Sequence, residues 1–349
     1  MHNLPELFVV GLGAVLFLVI SWGVRHLPSE GWQILAAIPK EKGVTGVWRG
    51  LNLTYYGAFI ASSMVFGLMM LIVLLGSVGI TILQALAVAV PIIILCIPLS
   101  RLIALTVERR KGTFTMGGAG FVGFIIAPLV VLGINSWQDE TSRELSVIAA
   151  LAVMAIAYAF GEGLGRLACI SFGCCYGKPL QKTHPTIAKF FSRMAIVFTG
   201  ETKKISWDGG LEGERVIPIQ AVTASVYVGT ALVATLLFLR GHDTSAFVLA
   251  AVTTQGWRVL SETLRADYRG SAGISSYQVM ALLLIPYSLG LAVVFGELPA
   301  HSTDLISGIA ALWDPSLILA LQLLWICCFF YYGRSVVTGS TLQFHINRG

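Results

Sequence analysis

Glu162 and Arg166 stand four residues apart in "GEGLGR", and Arg258 and Glu262 repeat that spacing in "GWRVLSETLR", with Arg265 following within a turn. Residues i and i+4 share one face of a helix, so each pair is expected to meet as an ion pair. A guanidinium presents a rigid fork of donors that matches a phosphate or a carboxylate. A carboxylate held nearby can take the proton of an incoming nucleophile. Between the two pairs lies "GRLACISFGCCYGKP", where Cys169, Cys174 and Cys175 are the only cysteines clustered near a polar segment. Three readings of Cys174 stand open. It is an inert small residue, a nucleophile whose thiolate is favoured by Arg166 and Lys178, or a redox or metal-binding thiol. Zinc wants four ligands and the nearest histidine is His184, so no metal site is expected.

The elements that must position these residues are membrane helices. Of the 349 residues 56% are hydrophobic and only 12% charged, and the mean hydropathy is +0.80. A soluble domain carries roughly 25% charged residues, so this composition belongs in a bilayer. Apolar runs long enough to cross one recur at 6–24, 53–76, 81–100, 116–134, 144–165, 216–239, 245–263, 274–296 and 312–332. An all-α polytopic membrane protein of about nine transmembrane helices is therefore expected. The first run lacks a basic leader and a small-residue cleavage site, and is read as retained. Residues 25–52, with tryptophans and lysines interleaved, read as a segment lying at headgroup level. Residues 166–215 form one lysine-rich extramembrane insert, too short to build a soluble domain. Cys96, Cys327 and Cys328 fall inside apolar runs, where cysteine acts as a small hydrophobe.

A charge within a span costs at least a few kcal/mol, which makes both Arg–Glu pairs functional candidates. The competing reading is that each pair only neutralises itself at a helix end. Glycines add to the case: Gly117, Gly118, Gly120 and Gly123 open one span, and Gly161, Gly163 and Gly165 surround Glu162. Small residues allow close helix packing, and they also leave backbone amides open to an anion at a helix start. Arginines, open amides and apolar walls together describe a site for a phosphate attached to acyl chains.

The order of motifs resembles prolipoprotein diacylglyceryl transferase, whose signature runs approximately G-R-x-G-N-F-x-N-G-E-x-x-G. Gly165, Arg166, Gly173 and Gly177 fall in register with it, while Cys169 and Ile170 stand for its Asn-Phe and Cys174 for its glutamate. Tyr56 and Gly57 look like the family's early Tyr-Gly. Phe114, Gly117 and Gly118 look like its S-F-H-G-G turn, with Met116 in place of histidine. Pro218 and Gln220 are what remains of its H-P-S-Q-L-Y-E. Its late Arg-x-x-x-Glu-x-x-Arg is intact as Arg258, Glu262 and Arg265, followed by Gln278. The resemblance covers about residues 50–297 and seven of the nine spans. It divides the chain into an added helix and interfacial segment (1–50), a transferase-like core (51–297) and an added C-terminal helix and tail (298–349).

That resemblance implies a transferase in a bacterial inner membrane, using a phosphatidylglycerol-like donor. A thiol or other acceptor attacks the carbon bearing the phosphate ester, and glycerol phosphate leaves. Arg166 and Arg258 would stabilise the phosphate, and Glu262 or Glu162 would take the acceptor's proton. Tyr56, Gly117, Gly118, Gln220, Arg265 and Gln278 would line the substrate site. No cofactor and no nucleic acid partner is expected, and the acceptor, a lipobox protein or another molecule, is left open. A non-catalytic phospholipid-binding or lipid-moving protein that keeps only the phosphate cradle is the second reading. Orientation divides the signals. Of the 23 Lys and Arg, 19 fall in the loops on the side of the insert, which the positive-inside rule places in the cytoplasm. The resemblance implies the outer face, and its seven collinear spans weigh more.

Overall fold

The computed structural model describes residues 3–108, 116–137, 144–267, 274–296 and 303–342. The chain opens with α1 (Leu4–His26), a hairpin of β1 (Ile34–Lys42) and β2 (Trp48–Thr54), and then α2 (Tyr55–Ser77), α3 (Ile82–Glu108), α4 (Met116–Trp137) and α5 (Val147–Phe172). The insert carries α6 (Pro185–Phe191), β3 (Ile196–Val197), α7 (Lys204–Trp207) and β4 (Arg215–Val216). It leads into α8 (Ile219–Leu239), α9 (Asp243–Thr263), α10 (Ser276–Phe295), α11 (Leu305–Ala311), α12 (Pro315–Gly333) and β5 (Arg334–Leu342).

Eight of these helices are long and apolar enough to cross a membrane: α1 to α5, α8, α10 and α12. The 23 residues of α2 rise roughly 35 Å and carry no charge, enough for a hydrocarbon core of about 30 Å. The ninth long helix, α9, is the one that carries Asp243, Arg258 and Glu262. It is shielded by α5, α8 and α10 on its inner side, where Arg258 is buried, while Leu260 on its outer side is exposed. The chain is an all-α, multi-pass membrane protein.

The most enclosed of the spans is α5, packed against α1, α2, α4, α8, α9 and α10. Small residues allow these approaches. A Cβ at Gly163 would lie 3.0 Å from the Val228 side chain and 3.1 Å from that of Tyr227; a Cβ at Gly67 of α2 would lie 3.0 Å from the Ala157 carbonyl. Dispersion between backbones replaces the hydrophobic drive that lipid cannot supply.

Two segments outside the bundle have structure of their own. Residues 34–54 are ordered strands, within and just past the segment read as interfacial. They form the β1–β2 hairpin, registered from Ile34 against Thr54 to Lys42 against Trp48, and β5 adds antiparallel to β2, with Leu53 opposite Arg334. The tail beyond α12 thus joins a sheet with a strand nearly three hundred residues earlier, a pairing no local pattern announces. The insert, too, does more than link spans. Phe198, Ile205, Ile196 and Val216 pack with Tyr176, and with Leu27, Leu167 and Ile170 at the helix ends, into a small apolar core of their own. Lys203 is buried beneath it, its Nζ donating to the carbonyls of Leu27 at 3.1 Å and Ser171 at 2.6 Å.

Candidate active site

Charged residues on α5 and α9 meet at the end of the bundle where the insert docks. Glu162 sits one turn before Arg166 on α5, and one carboxylate oxygen, Oε1, receives Nη2 of Arg166 in the expected i, i+4 pair. The same oxygen receives Nη2 of Arg258 from α9 at 3.1 Å. Arg258 also donates Nη1 to the Tyr158 hydroxyl at 3.3 Å. The expected pairing of Arg258 with Glu262 along its own helix gives way to this bond across helices. Arg258 turns inward toward α5, whereas Glu262 accepts Nη1 of Arg265 at 3.3 Å.

The Glu162 trio is buried: the side chains of Glu162, Arg258 and Arg166 are 2%, 10% and 13% exposed. Two guanidiniums share one carboxylate, so this trio carries a formal excess of one positive charge. The Nε atoms of Arg166 and Arg258 are both buried without an acceptor. Buried donors without partners are rare and costly, and both of these belong to guanidiniums that border cavities.

Two cavities adjoin the trio. The larger, about 350 Å³, lies among α2, α3, α4 and α5 and is walled mainly by apolar residues such as Ile60, Ile93, Phe124 and Met154. Its polar residues include Tyr56, Tyr158, Glu162 and Arg166. The smaller is polar, about 10 Å³, and is lined by Arg166, Arg258, Arg265, Glu262, Gln220 and Cys175 among others. Arg166 borders both.

A turn of unusual backbone holds the second cavity. Gly173 ends α5 in the left-handed conformation, at φ +72, returning the chain so that the Gly173 and Cys174 amides cap the Ile170 and Cys169 carbonyls. Cys175 is left-handed as well, at φ +56, the one such non-glycine among the described residues. The loop is then tied to both neighbouring helices. Gln220 Nε2 donates to the Cys174 carbonyl at 3.0 Å, the Lys178 amide to Leu264, and the Ala266 amide to Tyr176. At Gly177 the backbone passes so close to α8 that a Cβ would fall 2.3 Å from the Ile217 carbonyl.

The other residues named from sequence divide. Tyr56 lines the large cavity, its ring edge-on to Phe172. Gln220 lines the small one, with Oε1 buried and unpaired. Arg265 borders the small cavity too, but its guanidinium grips Asp267 through Nε at 2.7 Å and Nη2 at 2.6 Å besides Glu262, which makes it a latch. Gln278 donates to the Val259 carbonyl at 3.0 Å and closes the capping box of α10 with Ser275, so it joins two helix ends. Gly117 packs against the Tyr277 ring, and Gly118 is buried; the glycines that border the large cavity are Gly120, Gly123, Gly161 and Gly165. Phe114 lies outside the described residues. Cys174 sits beside Cys169 and Cys175, and hydrogen bonds among these thiols, together with burial, push its thiol well above the ordinary value. That environment works against a nucleophilic thiolate. Sequence reasoning missed Tyr158, since a tyrosine in an apolar run reads as core until a charged partner, here Arg258, arrives from another helix.

Comparison with curated proteins gives no significant match, and comparison with solved structures gives none either. A family model does match, that of prolipoprotein diacylglyceryl transferase, over residues 44–294. The match takes in the hairpin strand β2, the helices of the charged site and the insert, and leaves α1 and α12 outside it. The chain belongs to the prolipoprotein diacylglyceryl transferase family, and with it to the membrane lipid transferases of lipoprotein modification.

Proposed function

We propose that the protein moves a diacylglyceryl group from a phosphatidylglycerol-like donor to a thiol or comparable acceptor, in a bacterial inner membrane. The observation that carries this reading is the cationic trio of Arg166, Arg258 and Glu162, of which Arg166 and Glu162 line the 350 Å³ apolar cavity while Arg258 joins Arg166 at the small polar one. The cavity lies within the roughly 300–1,000 Å³ usual for ligand sites. Acyl chains occupy its apolar length, and the phosphate meets the two guanidiniums, whose Nε donors have no acceptor within the protein.

The acceptor attacks the glyceryl carbon that bears the phosphate ester. A bond from acceptor sulfur or oxygen to that carbon forms as the carbon–oxygen bond to phosphate breaks, and glycerol phosphate departs with the electron pair. Arg258 and Arg166 stabilise the charge that grows on the leaving phosphate. Glu162, already shared by both arginines, serves as their anchor. Glu262, bordering the polar cavity, takes the acceptor's proton. Cys174 serves as a buried wall residue rather than a carrier.

Incubation of purified protein with phosphatidylglycerol labelled in the headgroup tests this. A transferase releases labelled glycerol phosphate when an acceptor thiol peptide is supplied. Lipid bound without release under every acceptor tried would instead establish a phospholipid-binding protein.

A further inference from the structure

The three cysteines of "CISFGCC" are separated in sequence by a helix end, yet their sulfurs all lie within 4.8 Å of one another. Cys169 projects from the last turn of α5, and the left-handed residues Gly173 and Cys175 fold the following loop back so that Cys174 and Cys175 face it. All three remain thiols and all are half-buried. The expectation of no metal rested on the four ligands that zinc wants; a cation content with three ligands is not subject to that objection.

We infer that Cys169, Cys174 and Cys175 form a three-thiolate site for a soft closed-shell cation, monovalent copper. Metal–sulfur bonds of about 2.3 Å put trigonal sulfurs about 4.0 Å apart, so small side-chain adjustments suffice to close the site. Soft thiolate ligands favour monovalent copper, zinc and iron–sulfur clusters, and of these copper is content with three ligands, whereas zinc and the clusters take four. The surroundings suit the charge. Three thiolates and one copper carry a net charge of −2, and Arg166 and Arg265 border the polar cavity together with Cys175. Cys169 borders the large cavity and Cys175 the small one, so the site adjoins the lipid chemistry proposed above, but copper binding requires none of that chemistry and would hold even in a protein that transfers nothing.

The test uses the full-length protein in detergent, kept reduced, with monovalent copper competed against a chromophoric copper chelator. One copper per chain is expected. Cys169→Ser, Cys174→Ser and Cys175→Ser should each weaken binding by more than the roughly 10–100-fold lost with an outer-shell partner, while Cys327→Ser with Cys328→Ser leaves it unchanged. A readout on the unaltered chain guards against a misfolded variant: copper should protect Cys169, Cys174 and Cys175 from alkylation in peptide mapping, relative to Cys96. Copper uptake no greater than that of the triple serine variant overturns the inference. So does unaltered affinity in any one of the three single variants, or alkylation of the three thiols at the same rate with and without copper.

Discussion

Arg258 holds Glu162 and Tyr158 at once, from a helix otherwise tolerant of small and polar residues. Arg258→Ala should lower turnover by about 10²–10³-fold, the usual cost of one charge-stabilising donor, while the protein still reaches the membrane folded. Arg258→Lys should also lose activity by about tenfold or more, because a point charge cannot keep both partners of the fork. Glu162→Gln has a different signature. It leaves two buried guanidiniums facing each other, and loss of about 3–5 kcal/mol of stability is expected. Thermal unfolding should rank it well below Glu262→Gln, which should instead lose turnover while still binding phospholipid.

Lys203 gives a pH test at the same scale. Burial under the insert's core pushes its ammonium down to about 8, from an ordinary value of 10.5. Below about 8 the folded and the unfolded chain both hold the proton, so the cost of the buried charge is fully present. Between about 8 and 10.5 the unfolded chain binds more protons, so stability contributed by this residue rises with pH across that window. The melting temperature of the wild type should therefore climb relative to that of Lys203→Met from pH 8 to 10. A constant difference between the two would remove this account of Lys203.

At the scale of elements, the loop after α5 is held by close backbone contact with the start of α8. Gly177→Ala would place a Cβ against the Ile217 carbonyl, which cannot rotate away. Displacement of the loop should cost about 1–3 kcal/mol, typical of overpacking, and should disturb the polar cavity that Cys175 and Gln220 line. Gly229→Ala on the same helix is the control. Nothing lies within 4 Å of its Cβ, so melting should stay level or rise slightly, as alanine favours a helix by up to about 1 kcal/mol.

At the scale of the molecule, the sheet of β1, β2 and β5, the insert and the site-bearing helix ends share one face. Several of the cations counted for that face are engaged locally: Lys203 is buried, Lys204 pairs with Asp208 at 3.9 Å, and Arg265 is held by Asp267 and Glu262. The positive-inside rule counts Lys and Arg whatever their acidic partners, so the charge count points this face to the cytoplasm while the family resemblance points it outward, and the outward face is the expectation to be tested. A single cysteine at exposed Lys189, in a chain lacking its native cysteines, should react with a membrane-impermeant maleimide in intact cells. Reaction only after lysis would mean an inward site.

The membrane character and the eight long apolar helices were legible in the sequence, because lipid demands continuous apolar runs and each run is local. The Glu162–Arg166 pair was legible for the same reason: an i, i+4 spacing needs nothing beyond one helix. Order of motifs also carried the family. What the sequence did not contain was which helix faces which. Arg258 matched Glu262 by spacing, yet the packing of α9 on α5 delivered it to Glu162, where a carboxylate lies off its own helix. The joining of Cys169 to Cys174 and Cys175 depends on two left-handed residues that reverse the chain. The β5 strand depends on a partner nearly three hundred residues away. Each of these was decided by tertiary structure, because burial and close approach select among pairings that local spacing leaves equal.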